Sequence, residues 1–489
     1  MSSSTLMVSV SGMRGIVGTD LTPELVACYA AALGSALGTR DTGGLTPAPT
    51  AGARSRAAVV LGRDSRTSGD MFAHAAIAGL LSVGVDVIDL GVVPTPTVQM
   101  AVEHHHAAAG LIITASHNPI AWNALKFVGP DGIFLDAAAG AALRELAEKG
   151  PPRAAWDGIG LVTGDPEAID RHLEAILALP ELEVERIRDR AFHVAIDCVR
   201  GAGGAVIPKL LALLGCRVSG INLETDGRFP REPEPIPENL GDLGRLVRES
   251  GADIGMAVDP DVDRLALVDE RGEAIGEDYT LAWAVRAVLG KGERGKGKGE
   301  NTRGLPTQPS SPFPFPISQP VVVANLSTSL VVEDAARDVG ARFVRAPVGE
   351  ANVAQAIKAE GAVIGGEGNG GVILPALHIG RDAPLGVALI LQYLMVAGSR
   401  PSTIVGAAPR YRIVKSKSPR GANLDGIYSA LRNRFEDALA DTRDGLRLAW
   451  SDRWVHVRPS GTEPIIRFIA EAPTETQARQ LIAICEGLL

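Results

Sequence analysis

Aromatic residues are scarce in this chain, 4% of 489, so its interiors must be assembled mainly from Ala, Val, Leu and Ile. Cysteine is scarcer still. Cys28, Cys198, Cys216 and Cys485 lie far apart with no CxxC spacing, which excludes a zinc knuckle or disulfide framework and favours a reducing compartment. Basic charge is in deficit: 48 Lys and Arg stand against 57 Asp and Glu, for a net charge of −9. No basic block offers a phosphate-backbone footprint, so nucleic acid is not an expected partner. No apolar run approaches the roughly 18 to 20 residues that span a bilayer. The opening MSSSTLMVSVSGMRGIVG has neither the basic n-region nor the continuous apolar h-region of a signal peptide. These absences leave a cytoplasmic multidomain enzyme or binding protein with no membrane partner.

What is present is a chain long enough for three or four domains at about 150 residues each, with 56 Gly and 32 Pro for tight loops. Short β-branched runs alternate with Ala/Leu-rich helical stretches, the βαβ pattern of parallel sheets. One arrangement recurs three times. Val59-Val60-Leu61, His193 to Ile196 and Val321-Val322-Val323 each lead into a polar turn. Each is followed by a second apolar run that ends in a polar loop: Leu111-Ile112-Ile113 before TASHNP, Ile254 to Val258 before DPDVDR, and Ala362-Val363-Ile364 before GGEGNGG. Loops at the carboxyl ends of such strands are where open α/β sheets bind ligands. The last ninety or so residues read as a small α+β unit, with strands at 411–414, 446–449, 454–458 and 465–470 and a helix near 426–440. Residues 291–319, rich in Gly, Lys, Pro and Ser, read as a solvated insertion.

Four loops carry chemistry. In TASHNP, Ser116 sits at a strand end beside His117 and an Asn-Pro turn, placed for a nucleophile or phosphoryl carrier; an ordinary turn is the plain alternative. DPDVDR sets Asp259, Asp261 and Asp263 at i, i+2 and i+4, hard oxygen ligands that suit Mg²⁺. An EF-hand is disfavoured, because Arg264 occupies the sixth position, where glycine is needed. RPSGTEP combines Arg458, Ser460, Gly461 and Thr462 into phosphate-binding chemistry, with Arg467 nearby as a second cation. GGEGNGG places Glu367 and Asn369 on a glycine loop, where a carboxylate and an amide match sugar hydroxyls. GMRG, with Arg14, and GRDSR are weak signals taken singly. Two further features carry no function. GAGG at 201–204 lacks the third glycine of a dinucleotide fingerprint and reads as a tight turn. His104-His105-His106 reads as a solvated helix face.

The ordered set SGMRG, TASHNP with Asn123 and Lys126, DPDVDR, GGEGNGG and RPSGTEPIIR resembles the α-D-phosphohexomutases over nearly the whole length, apart from 291–319. VVPTPTV, PEPIPENL and STS look most like the archaeal-type phosphoglucosamine mutases, with phosphoglucomutase/phosphomannomutase relatives also similar. The resemblance implies an α/β fold: three related α/β domains and a C-terminal α+β domain around a central cleft. We place them at 1–157, 158–276, 277–398 and 399–489. It implies a phosphorylated Ser116, which with Asp259, Asp261 and Asp263 holds one Mg²⁺ per chain. His117, Lys126, Arg14 and Arg264 would surround the transferred phosphoryl group, and Glu367 and Asn369 would bind sugar hydroxyls. Arg458, Ser460, Gly461, Thr462 and Arg467 would hold the phosphate that does not react. A hexose bisphosphate would serve as primer, the substrate would be a small hexose phosphate, and the chain would act as a monomer or homodimer. Either Lys126 or His117 serves as general base. The departures are Pro260 and Val262 for two glycines of DGDGDR, Asn369 for Ser, Gly371 for His, and Ala383 for the Gly of RDG. The rival classes are a phosphatase with a covalent phosphoserine, against which the nine His show no zinc-ligand arrangement, and a non-catalytic sugar-phosphate binder.

Overall fold

A computed structural model describes residues 7–9, 12–38, 56–290, 319–419, 423–460 and 465–488. The insertion foreseen at 291–319 therefore lies outside them except for Gln319, and so do Gly461 and Thr462. The first sheet holds β1 (Met7–Ser9), β2 (Gly12–Ile16), β3 (Ala58–Arg63), β4 (Asp86–Val92), β5 (Ala109–Ile113), β6 (Trp122–Val128) and β7 (Val162–Gly164). Its order is β1-β2-β6-β5-β3-β4-β7. The second, β11-β10-β8-β9, comprises β8 (His193–Asp197), β9 (Arg217–Ile221), β10 (Ile254–Val258) and β11 (Leu265–Val268). The third, β13-β12-β14-β15, comprises β12 (Val321–Asn325), β13 (Arg342–Ala346), β14 (Ile364–Glu367) and β15 (Gly371–Ile373).

The three sheets share one plan. In each, three parallel strands are followed by an antiparallel one joined to the third: β5 to β6, β10 to β11 and β14 to β15. The TASHNP, DPDVDR and EGNG segments are the turns of these three hairpins. Continuous burial of β5, β8, β10, β12 and β14 reflects helices packed on both faces, which is why these strands read as unbroken apolar runs. The turn after the first strand of each unit is also repeated. Asp64 Oδ1 accepts from Arg66 N at 3.0 Å, Asp197 Oδ1 from Val199 N at 2.9 Å, and Asn325 Oδ1 from Ser327 N at 2.9 Å. In each, a side-chain oxygen accepts from the N–H two residues on and closes the turn that leaves the strand.

Three details depart from the expectation. β7 pairs with β4, so the first sheet takes in residues 162–164, past 157; an edge strand this short and exposed leaves no periodic trace. β14 runs on through Gly365 and Gly366 to Glu367, because a Cβ on Gly366 would lie 2.1 Å from Gly371 O and only glycine lets the two strands approach. The helix expected near 426–440 spans Leu424–Arg434, capped by Asn423, and does not reach 440. That unit is a five-stranded antiparallel sheet, β16-β20-β19-β18-β17, made of β16 (Arg412–Pro419), β17 (Leu439–Asp441), β18 (Leu446–Ala449), β19 (Trp454–Pro459) and β20 (Ile465–Ala472). Among the described residues no single helix is long and apolar enough to cross a membrane. The apolar helix Ala383–Ala397 is a core element shared by the second and third units.

Candidate active site

Ser116 is held by the protein's own hydrogen bonds. It lies three residues past β5, 3% exposed, with φ of +49°. Arg66, also buried, donates to the carbonyls of Ser116, Asn118, Pro119 and Trp122 at 2.5, 2.6, 2.8 and 2.9 Å. Its Nε donates to Asp64 Oδ2 at 3.0 Å, and Thr114 Oγ1 donates to the same oxygen at 2.7 Å while accepting from Ser116 N at 2.9 Å. A guanidinium has five donors in a rigid plane; here it spends its donors on fixing the curvature of one loop. GRDSR therefore builds the serine turn, a role its sequence alone did not reveal.

The serine hydroxyl donates to Asp259 Oδ2 at 2.8 Å. Asp259, Asp261 and Asp263 are each fully buried, and one carboxylate oxygen from each lies within 4.8 Å of the others. The loop reaches this shape with Val262 at φ +61°, a conformation that costs a β-branched residue about 1 to 3 kcal/mol and that glycine adopts without strain. Gly201, from the GAGG turn, lets it settle, since a Cβ there would stand 2.7 Å from Pro260 Cα. Lys126 Nζ and Thr95 Oγ1 take Asp261 Oδ2 at 2.8 and 2.9 Å, and Arg381 Nη2 takes Asp263 Oδ2 at 2.5 Å. Asp261 Oδ1 and Asp263 Oδ1 are buried and accept no hydrogen bond. Burial raises the Asp259 carboxyl well above its usual range, and the Asp263 and Asp261 charges push the same way. Hard oxygens left bare in a crowded acidic site fit a divalent cation such as Mg²⁺.

His117 and Arg14 line the same loop. Burial, with Arg264 and Arg14 adding to it, drives the His117 imidazole well below its usual pKa, so it is neutral, and its Nδ1 has no partner. Its Nε2 lies 4.0 Å from Glu234 Oε1. Arg14 Nη1 donates to Asn118 Oδ1 at 2.7 Å. Arg264 Nη1 lies 3.7 Å from Glu234, and its Nε lies 3.7 Å from Asp263 Oδ1 and 4.0 Å from Asp259 Oδ2.

Glu367, at the end of β14, is buried. Arg381 Nη1 donates to its Oε2 at 2.7 Å, while Asn325 Nδ2 and Gly349 N donate to Oε1 at 2.8 and 3.1 Å. Burial opposes ionisation, but Arg381 and Asn325 hold the carboxyl below its ordinary range. Asn369 Oδ1 accepts from Gly371 N at 3.3 Å. In the C-terminal unit Arg458 Nε donates to Asp444 Oδ2 at 2.9 Å, and Val348 N reaches the same oxygen at 3.1 Å. Ser460 N donates to Ile465 O at 2.9 Å. Arg458 stands opposite Arg467 in register, and Arg467 opposite Lys417. Three cations thus stand side by side on one sheet face, with the Asp444 carboxylate against the first of them; positive charge gathered this way suits a phosphate.

The first three units thus bring together Ser116, His117, Lys126, Arg14, Arg264 and the three Asp, and Arg381 ties Glu367 to them. The sequence reading missed Asp64, Arg66, Thr95, Glu234 and Arg381. Thr95 lies in VVPTPTV and Arg381 in the RDA departure, yet no residue type there announces a contact across the fold. Of the features set aside, His105 pairs with Asp165 at 2.7 Å and is not a free helix face.

Comparison with known proteins gives four consecutive matches to models of phosphoglucomutase/phosphomannomutase. The alpha/beta/alpha domains I, II and III match at 6–153, 170–272 and 314–411, and the C-terminal domain at 412–485. A phosphoglucomutase/phosphomannomutase of Thermococcus kodakarensis is 37% identical over 98% of this chain and 97% of its own. A probable phosphoglucosamine mutase of Methanopyrus kandleri is 37% identical over 96% and 95%. A crystal structure of a phosphoglucomutase/phosphomannomutase family protein from Burkholderia thailandensis superposes with a TM-score of 0.80 at 24% identity, over 100% of this chain and 98% of that one.

Proposed function

We propose, starting from the fact that the chain belongs to the phosphoglucomutase/phosphomannomutase family of α-D-phosphohexomutases, that it interconverts glucosamine 6-phosphate and glucosamine 1-phosphate. That it is an enzyme transferring a phosphoryl group within a hexose phosphate follows from the family itself. Mg²⁺ is its cofactor, held by Asp259, Asp261 and Asp263, and a hexose bisphosphate primes it. The observation that carries the mechanism is the Ser116 hydroxyl seated on Asp259 beside two bare carboxylate oxygens.

In this reading Ser116 carries the phosphoryl group. The Oγ–P bond breaks as a sugar hydroxyl forms its own bond to phosphorus, and the hydroxyl proton leaves to His117 or Lys126. His117 Nδ1 is free to accept it; Lys126 Nζ is engaged by Asp261. Phosphoryl transfer needs placement and charge neutralisation more than covalent help. The bound Mg²⁺ would offset the negative charge that develops on the phosphoryl oxygens. Arg14 and Arg264 add fixed positive charge, and Arg66 keeps the serine loop from relaxing. The bisphosphate turns over, and its other phosphate returns to Ser116. Ser460 and Arg458, with Arg467, Gly461 and Thr462, hold whichever phosphate is not reacting, and Asn369 and Glu367 meet sugar hydroxyls. We take the site of action to be the cytoplasm, with the chain as monomer or homodimer and only small molecules as partners.

The choice of glucosamine rests on relatives such as the Methanopyrus kandleri protein. A contrary observation favours glucose or mannose phosphate: Arg381 already neutralises Glu367, which weakens a carboxylate–ammonium contact at C2. The deciding experiment compares kcat/KM for glucosamine, glucose and mannose phosphates with a bisphosphate primer present. A tenfold preference for glucose or mannose, about 1.4 kcal/mol, replaces this reading with a phosphoglucomutase/phosphomannomutase. Intact-mass measurement adds a second check, a fraction about 80 Da heavier that maps to Ser116.

A further inference from the structure

The guanidinium of Arg381 has carboxylates on three sides. Nε donates to Glu350 Oε2 at 3.0 Å, Nη1 to Glu367 Oε2 at 2.7 Å and Nη2 to Asp263 Oδ2 at 2.5 Å. The Arg381 backbone N donates to Glu350 Oε1 at 3.1 Å, so Glu350 grips residue 381 twice. The side chain is 8% exposed. Asp263 comes from the hairpin turn of the second unit and Glu367 from the end of β14 in the third, so one planar side chain links the proposed metal loop to the proposed sugar loop.

Its two outer contacts are complementary. At Asp263 it takes Oδ2 and leaves Oδ1 without a hydrogen bond, the oxygen placed to meet a metal. At Glu367 it takes Oε2 while Asn325 and Gly349 take Oε1. A guanidinium is a rigid fork, so fixing one tine fixes the others. A ligand that immobilises Glu367 thereby immobilises Asp263, and the ordering cost is met once for both sites.

We propose that Arg381 is a positioning residue coupling metal binding at Asp263 to sugar binding at Glu367, so that each ligand tightens the other. The inference rests on the phosphohexomutase reading, and linkage requires the coupling to be equal in both directions.

The test is a Mn²⁺ titration of the full chain, followed by the paramagnetic resonance of the free ion. It is run alone and with glucose 6-phosphate or glucosamine 6-phosphate, corrected for metal bound by the sugar phosphate itself. In the unmodified chain at least one sugar phosphate should tighten Mn²⁺ by about fivefold or more. Arg381→Met should weaken Mn²⁺ by about 10- to 100-fold and abolish the coupling. Arg381→Lys should recover part of the metal affinity, because one ammonium can still face Asp263, but none of the coupling, because it cannot serve both carboxylates. Its KM for sugar phosphate should rise together with its metal activation constant. If Arg381→Met does not fold, Arg381→Lys decides the matter. Absence of coupling in the unmodified chain, or unaltered coupling in a folded variant, overturns the proposal. Coupling in a chain that fails to interconvert hexose phosphates supports the role of Arg381 and overturns the mutase reading instead.

Discussion

Two groups of carboxylates are drawn away from water in this molecule, and they settle their charge differently. In the first, Asp259, Asp261 and Asp263, cations from neighbouring units take one oxygen of Asp261 and one of Asp263 and leave the other bare. In the second, Glu277, Asp278 and Glu471 meet where the C-terminal sheet docks on the third unit. Glu471 accepts from the Ser329 hydroxyl, from Leu330 N at 2.8 Å and from Trp454 Nε1 at 2.6 Å. Asp278 accepts from Ser329 N at 2.8 Å, and Lys415 lies 3.5 Å from Glu277. Burial pushes the Asp278 carboxyl up to about 8, with Glu471 and Glu277 adding to the rise against the Ser329 N–H and Lys415. One group presents carboxylate oxygens that a cation can take; the other keeps a proton and its donors. The presence of partnerless buried oxygens, more than the density of acid, separates a metal centre from a structural joint.

The contrast is tested most severely at Ser116, whose hydroxyl touches only the first group. Ser116→Ala should abolish turnover while the chain keeps its melting temperature within a few degrees; turnover near the normal rate would remove the phosphoserine mechanism. Next in size is the metal. Chelation should extinguish activity, and added Mg²⁺ should restore it. Asp261→Asn should lower both rate and metal affinity, because it replaces one of the three carboxylates facing the ion with a neutral amide. Full activity in excess EDTA would make the two groups alike.

A smaller effect is expected where the second group holds the C-terminal sheet in place. Arg458 is partly exposed and already shares Asp444, so Arg458→Ala should raise KM for sugar phosphate by about 1.5 to 3 kcal/mol in binding, with kcat less affected. An unchanged KM would reduce RPSGTEP to a turn. The smallest effect concerns the retained proton. An Asp carboxyl ordinarily titrates near 3.9 when unfolded, and Asp278 does so near 8 in the folded chain. Its native state binds the extra proton between those values, so its contribution to stability is complete below about pH 4 and is lost as pH rises through 8. Asp278→Asn, which keeps the acceptor for Ser329 N, should flatten that decline. Melting temperatures of the two chains compared at pH 5 and pH 8 measure it, and parallel pH slopes would show that Asp278 is charged throughout.

Much of the architecture was legible because its cause is local. The three apolar strand pairs, the helix pattern between them and the order of the polar loops come from residue spacing and from the burial of parallel strands on both faces. The identities of Ser116, Asp259, Asp261, Asp263, Glu367 and Arg458 as chemically able residues needed only their side-chain types and their place at strand ends. The glycines of β14 misled because the same residue marks a loop and a close strand approach, and only the facing carbonyl of Gly371 tells them apart.

The tertiary structure alone decided which charges meet. Nothing near Arg66 in the sequence predicts that it will hold four carbonyls some fifty residues away, and nothing near Arg381 predicts Asp263, more than a hundred residues earlier. Electrostatic neighbours are fixed by how three sheets and their helices pack, and Coulomb attraction acts through space without regard to chain order. Sequence spacing determined where polar side chains leave each strand; packing of the units determined which carboxylate oxygens would be satisfied and which two would remain bare.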